Sequence, residues 1–251
     1  MHYTATADTD VGISRTTNQD SVLIKHALAD DTEVLLAVLC DGMGGHLAGE
    51  VASKFVTDEL QRRFEEENLI EPNQAEDWLR TTLKAINREL YQLSVDNTDY
   101  YGMGTTCVCA LVFDDYVVVA NIGDSRGYLV NSREIEQITN DHSFVNHLVM
   151  IGQISAEEAF NHPQKNIITK VMGTDKVVTP DIFVKRTNFY DFLLLNSDGL
   201  TDFARNHMIQ EELMQENDLE THGRNLIELA ISQETNDNVS IVLAEIEGDK
   251  V

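Results

Sequence analysis

The chain is short of basic residues. Its 251 residues carry 18 Lys and Arg against 43 Asp and Glu, a formal charge of −25. That balance argues against nucleic acid as a partner, because a phosphate backbone needs clustered cations. Cysteine is scarce too, with only Cys40, Cys107 and Cys109. An odd number of thiols in strand-like runs gives no disulfide framework, and no second ligand pair stands at zinc-finger spacing. No apolar run approaches the roughly twenty residues of a membrane span, and the first residues, Met1 to Asp8, lack the basic and apolar regions of a signal peptide. No Pro/Gly/Ser-rich linker divides the chain. The expectation is one soluble cytoplasmic domain over residues 1–251, without membrane insertion.

What is present groups by type. Val22 to His26 and Glu33 to Leu39 read as strands, and Val51, Phe55, Val56, Leu60 and Phe64 recur at helical spacing. A second helix is expected from about Gln74 to Val95, capped by Asn73 with Glu76 three residues on. Thr105 to Phe113, Tyr116 to Ile122 and Gly127 to Val130 read as an antiparallel meander. Phe192 to Leu195 and Val239 to Ile246 add strands, with a helix through Leu226 to Ile231 between them. Blocks of strands and helices without regular βαβ alternation favour α+β architecture. Thr139 to Pro180, which holds two of the three prolines, reads as a long, partly helical surface excursion.

Carboxylates mark the strand ends. Asp20 precedes a strand, Asp41 ends one, Asp124 sits in a turn, Asp198 follows a strand and Asp237 precedes the last. Asp41 is followed by Gly42-Met43-Gly44-Gly45-His46, a glycine-rich strand-to-helix turn that lacks the Gly-Lys-Ser/Thr of a phosphate-cradling loop. Five converging carboxylates would repel unless cations neutralised them, and oxygen-only donors select hard ions such as magnesium or manganese. Arg15, five residues before Asp20, carries a guanidinium able to take two phosphate oxygens or to pair with nearby acids. Thr105 and Thr106 are expected to be strand formers.

The ordered set Arg15, Asn18, Gln19 and Asp20; Asp41-Gly42-Met43-Gly44-Gly45-His46 with Gly49-Glu50; Gly102-Met103-Gly104-Thr105-Thr106; Gly123-Asp124-Ser125-Arg126; Ser197-Asp198-Gly199-Leu200-Thr201-Asp202; and Asp237-Asn238-Val239-Ser240 resembles the bacterial metal-dependent serine/threonine phosphatases of type 2C. The resemblance runs from about Thr4 to Glu245 and implies a four-layer α-β-β-α sandwich with two central antiparallel sheets and a flap over residues 139–180. It implies two Mn2+ or Mg2+ ions, with Asp41 bridging both, the Gly42 carbonyl on one, Asp198 and Asp237 on the other, and Asp20 direct or through water. Asp124 with Asp198 matches the place of a third ion. A metal-activated water would attack phosphorus in line, without a phosphoenzyme, while Arg15 holds phosphate oxygens. Met43 stands where eukaryotic relatives have a histidine proposed as general acid, so His46 is the candidate for that role. Partners expected are phosphorylated proteins, among them a Ser/Thr kinase and its substrates, and the enzyme is expected to be a monomer.

Overall fold

A computed structural model describes residues 3–29, 32–45, 48–67 and 70–246. In chain order the elements are β1 (Ala5–Asp10), β2 (Asp20–Ala29), β3 (Thr32–Met43), α1 (Ala48–Glu66), α2 (Ala75–Asp96), β4 (Gly104–Thr105), β5 (Cys107–Val112), β6 (Tyr116–Ile122), β7 (Arg126–Val130) and β8 (Ile135–Gln137). Then follow α3 (Phe144–Met150), α4 (Ala156–Phe160), β9 (Asp181–Arg186), β10 (Phe192–Asn196), α5 (Asp198–Thr201), α6 (Asn206–Leu213), α7 (Leu219–Ser232) and β11 (Val239–Glu245).

Two antiparallel sheets result. One runs β1-β11-β10-β7-β8. The other runs β2-β3-β5-β6-β9, with β4 paired to β3. The apolar strands alternate strictly. Val34, Leu36, Val38 and Cys40 of β3, with Cys107, Cys109 and Leu111 of β5, face α1 and α2. Leu35, Ala37, Leu39, Val108, Ala110 and Val112 face the other sheet. Both faces are therefore buried, which is why these strands read as unbroken apolar runs. Val239, Ile241 and Leu243 of β11 pack under α5, α6 and α7, and Val242 and Ala244 point inward. Three apolar layers thus separate four layers of structure, the α-β-β-α sandwich.

The helices owe their seats to their stripes. Ala52, Val56, Leu60 and Phe64 of α1 and Leu79, Leu83, Ile86 and Leu90 of α2 are all buried, and the Phe64 ring meets Trp78 edge-on at 6.3 Å. Charged residues take the outer face of α1, where Arg62 bridges Glu59 and Glu66.

Several boundaries differ from those expected. Asn73 does not cap α2. Pro72, with its fixed φ, opens a 3-10 turn through Gln74 that runs into the helix at Ala75 with no side-chain cap. The run from Thr105 is two strands, because Thr106 breaks the ladder with its side chain. β3 continues past Leu39 to Met43, so Asp41 lies within the strand rather than at its end. β1, β8 and β9 had no expected counterpart. β1 is a polar edge strand, ATADTD, without an apolar run. The segment 139–180 holds α3 and α4, as its partly helical reading anticipated. Among the described residues no helix is long and apolar enough to cross a membrane.

Candidate metal centre

Strand parity aims the first two carboxylates. Leu35, Ala37 and Leu39 face the space between the sheets, so alternation puts Asp41 on that face. Asp20 is its direct partner across β2 and β3. Two like charges opposite each other on an antiparallel pair repel, and both point into the same end of the inter-sheet layer.

The opposing sheet supplies the others. β10 ends at Asn196, opposite Ile241 of β11. Ser197 then locks to Ser240, its amide to the Ser240 carbonyl (3.1 Å) and its hydroxyl accepting the Ser240 amide (3.0 Å). Asp198 follows as the first residue of α5. Asp124 leaves the β6–β7 turn and is 8% exposed. Asp237 sits just ahead of β11.

The electrostatics are those of an uncompensated acid cluster. Both carboxylate oxygens of Asp20, one of Asp124 and one of Asp198 are buried with no hydrogen-bond partner. Burial, then the charges of Asp20, Asp198, Asp124 and Asp237, pushes Asp41 well above the carboxylate range. Burial, then Asp124, Asp202 and Asp237, does the same to Asp198. Burial raises Asp20 to about 6, offset by the nearby Ser240 and Ser197 hydroxyls although neither makes a full hydrogen bond. Asp124 is pushed up to about 7, first by burial and then by Asp141. Such a cluster is costly unless something cationic completes it.

The site residues are held from behind. The Asp41 carbonyl accepts from Thr105 Oγ1 and the Thr106 amide, both at 2.8 Å. The Asp41 amide donates to Thr106 Oγ1 (2.9 Å), which shares a further hydrogen bond with Ser125 (2.7 Å). The two threonines are thus clamps on Asp41, a role beyond strand formation that residue type alone does not signal. Gly42 is required by close approach: a Cβ there would stand 2.1 Å from the Gly49 carbonyl oxygen. Asn238 has a structural role that its residue type does not signal. Its Nδ2 donates to the Val11 and Thr17 carbonyls (3.0 Å each), and its Oδ1 accepts the Gln19 amide (2.8 Å). It therefore fixes the loop between β1 and β2.

That loop brings Arg15 to the cluster, where its Nη2 donates to Asp237 Oδ2 at 2.7 Å. Of its two sequence readings, pairing with an acid is the one seen, and the acid is one of the candidate ligands. The guanidinium remains half exposed, with side-chain exposure of 52%. His46 lies outside the described residues.

Among the described residues no three acidic, thiol or imidazole side chains stand in a closed ligand set. Asp237 is paired with Arg15, and the other carboxylates come from separate elements. The donors are all oxygen, several are buried and unpaired, and they share one end of the sandwich. This suits a hard divalent cation. The thiols cannot contribute. Cys40, Cys107 and Cys109 are buried on the opposite, helix-facing side of their sheet.

Beside Asp124 and Asp198 opens a cleft of about 440 Å³ between α3, α4 and the start of α6. Three ion pairs line it, Arg126 with Asp141 (2.7 Å), Lys165 with Asp202 (3.1 Å) and Arg205 with Glu157 (2.7 Å). Asp202, not an expected site residue, faces this cleft one turn beyond Asp198.

Comparison with known proteins gives four findings. A family model described as protein phosphatase 2C matches residues 13–243. The chain is 39% identical over 211 residues to the serine/threonine phosphatase stp of Listeria monocytogenes, 84% of each chain. It is also similar to the solved structure of the serine/threonine phosphatase Stp1 from Staphylococcus aureus, with a TM-score of 0.95, 60% identity and coverage of 99% of this chain and 96% of that one. A structure of the catalytic domain of the serine/threonine protein phosphatase PstP in complex with two manganese ions aligns with a TM-score of 0.81 at 34% identity, covering 97% of each chain.

Proposed function

Because the chain belongs to the protein phosphatase 2C family and is on that ground a phosphoprotein phosphatase, we propose that it hydrolyses phosphoserine and phosphothreonine monoesters at a dinuclear Mn2+ or Mg2+ centre built on Asp41. The observation that carries this reading is the set of buried, unpaired carboxylate oxygens on Asp20, Asp124 and Asp198 around Asp41. Asp41 and the Gly42 carbonyl, with Asp198 and Asp237, hold two ions; Asp20 acts directly or through water. Asp124 with Asp198 holds a third. When bound, such ions neutralise the cluster and lower the pKa of a shared water to near neutrality.

The rest is done by the chain. Arg15 uses one donor on Asp237 and keeps others of its five for the phosphate, orienting phosphorus for in-line attack. Hydrolysis proceeds by attack of water, without a phosphoenzyme; the burial of all three thiols leaves no accessible cysteine to act as nucleophile. Protonation of the leaving oxygen is assigned to His46, since Met43 has no proton to give. The enzyme acts as a monomer in the cytoplasm, opposing a bacterial Ser/Thr kinase. The reduced cysteines suit that compartment.

The test is phosphate release from a phosphothreonine peptide by metal-stripped protein, titrated with manganese and then magnesium. Turnover that appears only with added cation is expected. A folded protein inactive with either ion overturns the proposal.

A further inference from the structure

We infer that His142 is the positioning residue of Asp124: its ring and its backbone together grip Gly123, the residue that delivers the Asp124 carboxylate to the acid cluster. The inference rests on the proposed cation-binding role of Asp124.

Gly123 is held on both sides of its peptide. Its amide donates to His142 Nδ1 at 3.0 Å. Its carbonyl accepts from the His142 amide at 2.9 Å and from Asn121 Nδ2 at 3.1 Å. There is no slack elsewhere, for Gly123 has φ +118°, and a Cβ on it would stand 2.6 Å from the Thr106 side chain. The turn is thus wedged between Thr106, which clamps Asp41, and His142, which stands at the root of the flap segment.

The tautomer follows from the partners. A backbone amide can only donate, so Nδ1 must carry a lone pair and the neutral ring carries its proton on Nε2. Nε2 faces Asp181 Oδ2 at 3.2 Å. The Lys170 ammonium also lies 2.8 Å from Nε2, but it has better acceptors in Asp181 Oδ1 (2.9 Å) and the Thr179 carbonyl (3.2 Å). A neutral ring cannot accept at both nitrogens, and the Gly123 amide has no other partner among the described residues, so the Nδ1 bond is the one that stands. Burial, followed by the Lys170 charge, lowers the His142 pKa and favours this neutral form. The Gly123–His142 hydrogen bonds, with Asp181 Oδ2 as a neighbour 3.2 Å from the ring, form a relay from the Asp124 turn through the start of the flap to its end at β9. Outer-shell groups of this kind set the orientation of carboxylates around a cation.

The chemistry separates two substitutions. In His142→Asn the amide oxygen falls where Nδ1 stood and can accept from Gly123. In His142→Gln the amide lies one carbon farther, toward Asp181, and cannot. Manganese binding to metal-stripped protein would be followed by calorimetry, with Asp124→Asn marking the binding step that depends on Asp124. His142→Gln is expected to weaken that step on the order of 10–100-fold, His142→Asn by less than about threefold, and neither to move the other steps. An unchanged step in His142→Gln, or equal losses in both variants, overturns the inference while leaving the metal centre intact. A wild-type protein that binds manganese with no Asp124-dependent step overturns the assignment of Asp124 and the inference with it. Nitrogen NMR of 15N-histidine-labelled wild type gives an independent check: the expected signal is a His142 ring protonated at Nε2, and protonation at Nδ1 overturns the relay whatever the variants do.

Discussion

The middle and the end of the inter-sheet layer are made by the same strands, on the same face, and they behave as opposites. In the middle, Leu35, Leu39, Val108, Val119 and Leu195 are completely buried against apolar neighbours. Each such side chain stabilises the fold by roughly 1.5–3 kcal/mol. Two residues beyond Leu39 the same side of β3 presents Asp41, facing Asp20 across the pair and Asp198 and Asp124 from elsewhere. A buried carboxylate without a partner costs several kcal/mol. The apolar middle sustains an end that would otherwise be hard to fold, and the electrostatic strain there is what gives a cation something to bind.

If that contrast is right, neutral substitutions should affect the two places in opposite senses. Asp198→Asn should lower phosphatase activity at saturating manganese by at least about a thousandfold, at or beyond the loss of a single charge-stabilising group. It should leave the metal-free protein folded and at least as heat-stable as wild type at pH 8. Full activity in that variant would remove the carboxylate-centre argument. Leu39→Ala, two residues up the face from Asp41, should instead cost about 2–5 kcal/mol in urea unfolding, with the manganese dependence of the surviving folded enzyme unchanged.

The pH dependence sharpens the same comparison. Asp20 and Asp124 sit near 6 and 7 in the fold against about 3.9 in an unfolded chain. The folded state therefore binds more protons between about pH 4 and 7, and the metal-free protein should lose stability as pH rises through that window. Saturating manganese should flatten or reverse the slope, because the cation favours the ionised form. A metal-free melting temperature that rises from pH 5 to 7 would contradict the buried-acid picture.

Smaller effects test the clamps. Thr106→Val keeps shape but leaves the Asp41 amide without its acceptor, at a cost of about 1–3 kcal/mol, read by thermal melting together with weaker manganese binding. On the outer face of α1, Arg62→Ala should move stability by no more than about 0.5 kcal/mol, since the Glu59 and Glu66 pairs are exposed to solvent.

The elements that read most clearly were those with strong periodicity. The stripes of α1 and α2 and the runs of β5 and β6 are visible because each element buries a face and the sequence repeats with its geometry. β1 was not legible, since ATADTD buries little and earns its place only by pairing with β11. The start of α2 lies within a residue of its expected place, but its cap differs for a local reason, Pro72 initiating a 3-10 turn where Asn73 offered a cap. For the site, the acidic residues could be picked out by their places near the ends of apolar strand runs, although Asp41 lies inside β3, but the hydroxyls and amides that hold them, on Thr106, Asn238 and His142, could not. Their residue types are common and their roles depend on partners far along the chain.

Alone, the sequence determined which residues share a side of each strand, because side chains alternate with a period of two. It thereby set Asp41 on the face of Leu35, Ala37 and Leu39, and supplied a set of oxygen donors without accessible thiols. Only the tertiary structure decided that Asp20 lies opposite Asp41, that Asp198 and Asp124 close on them from other elements, and that Arg15 reaches Asp237 from 222 residues away. Those meetings are made by stacking one sheet on the other, a non-local packing event that no short stretch of chain encodes.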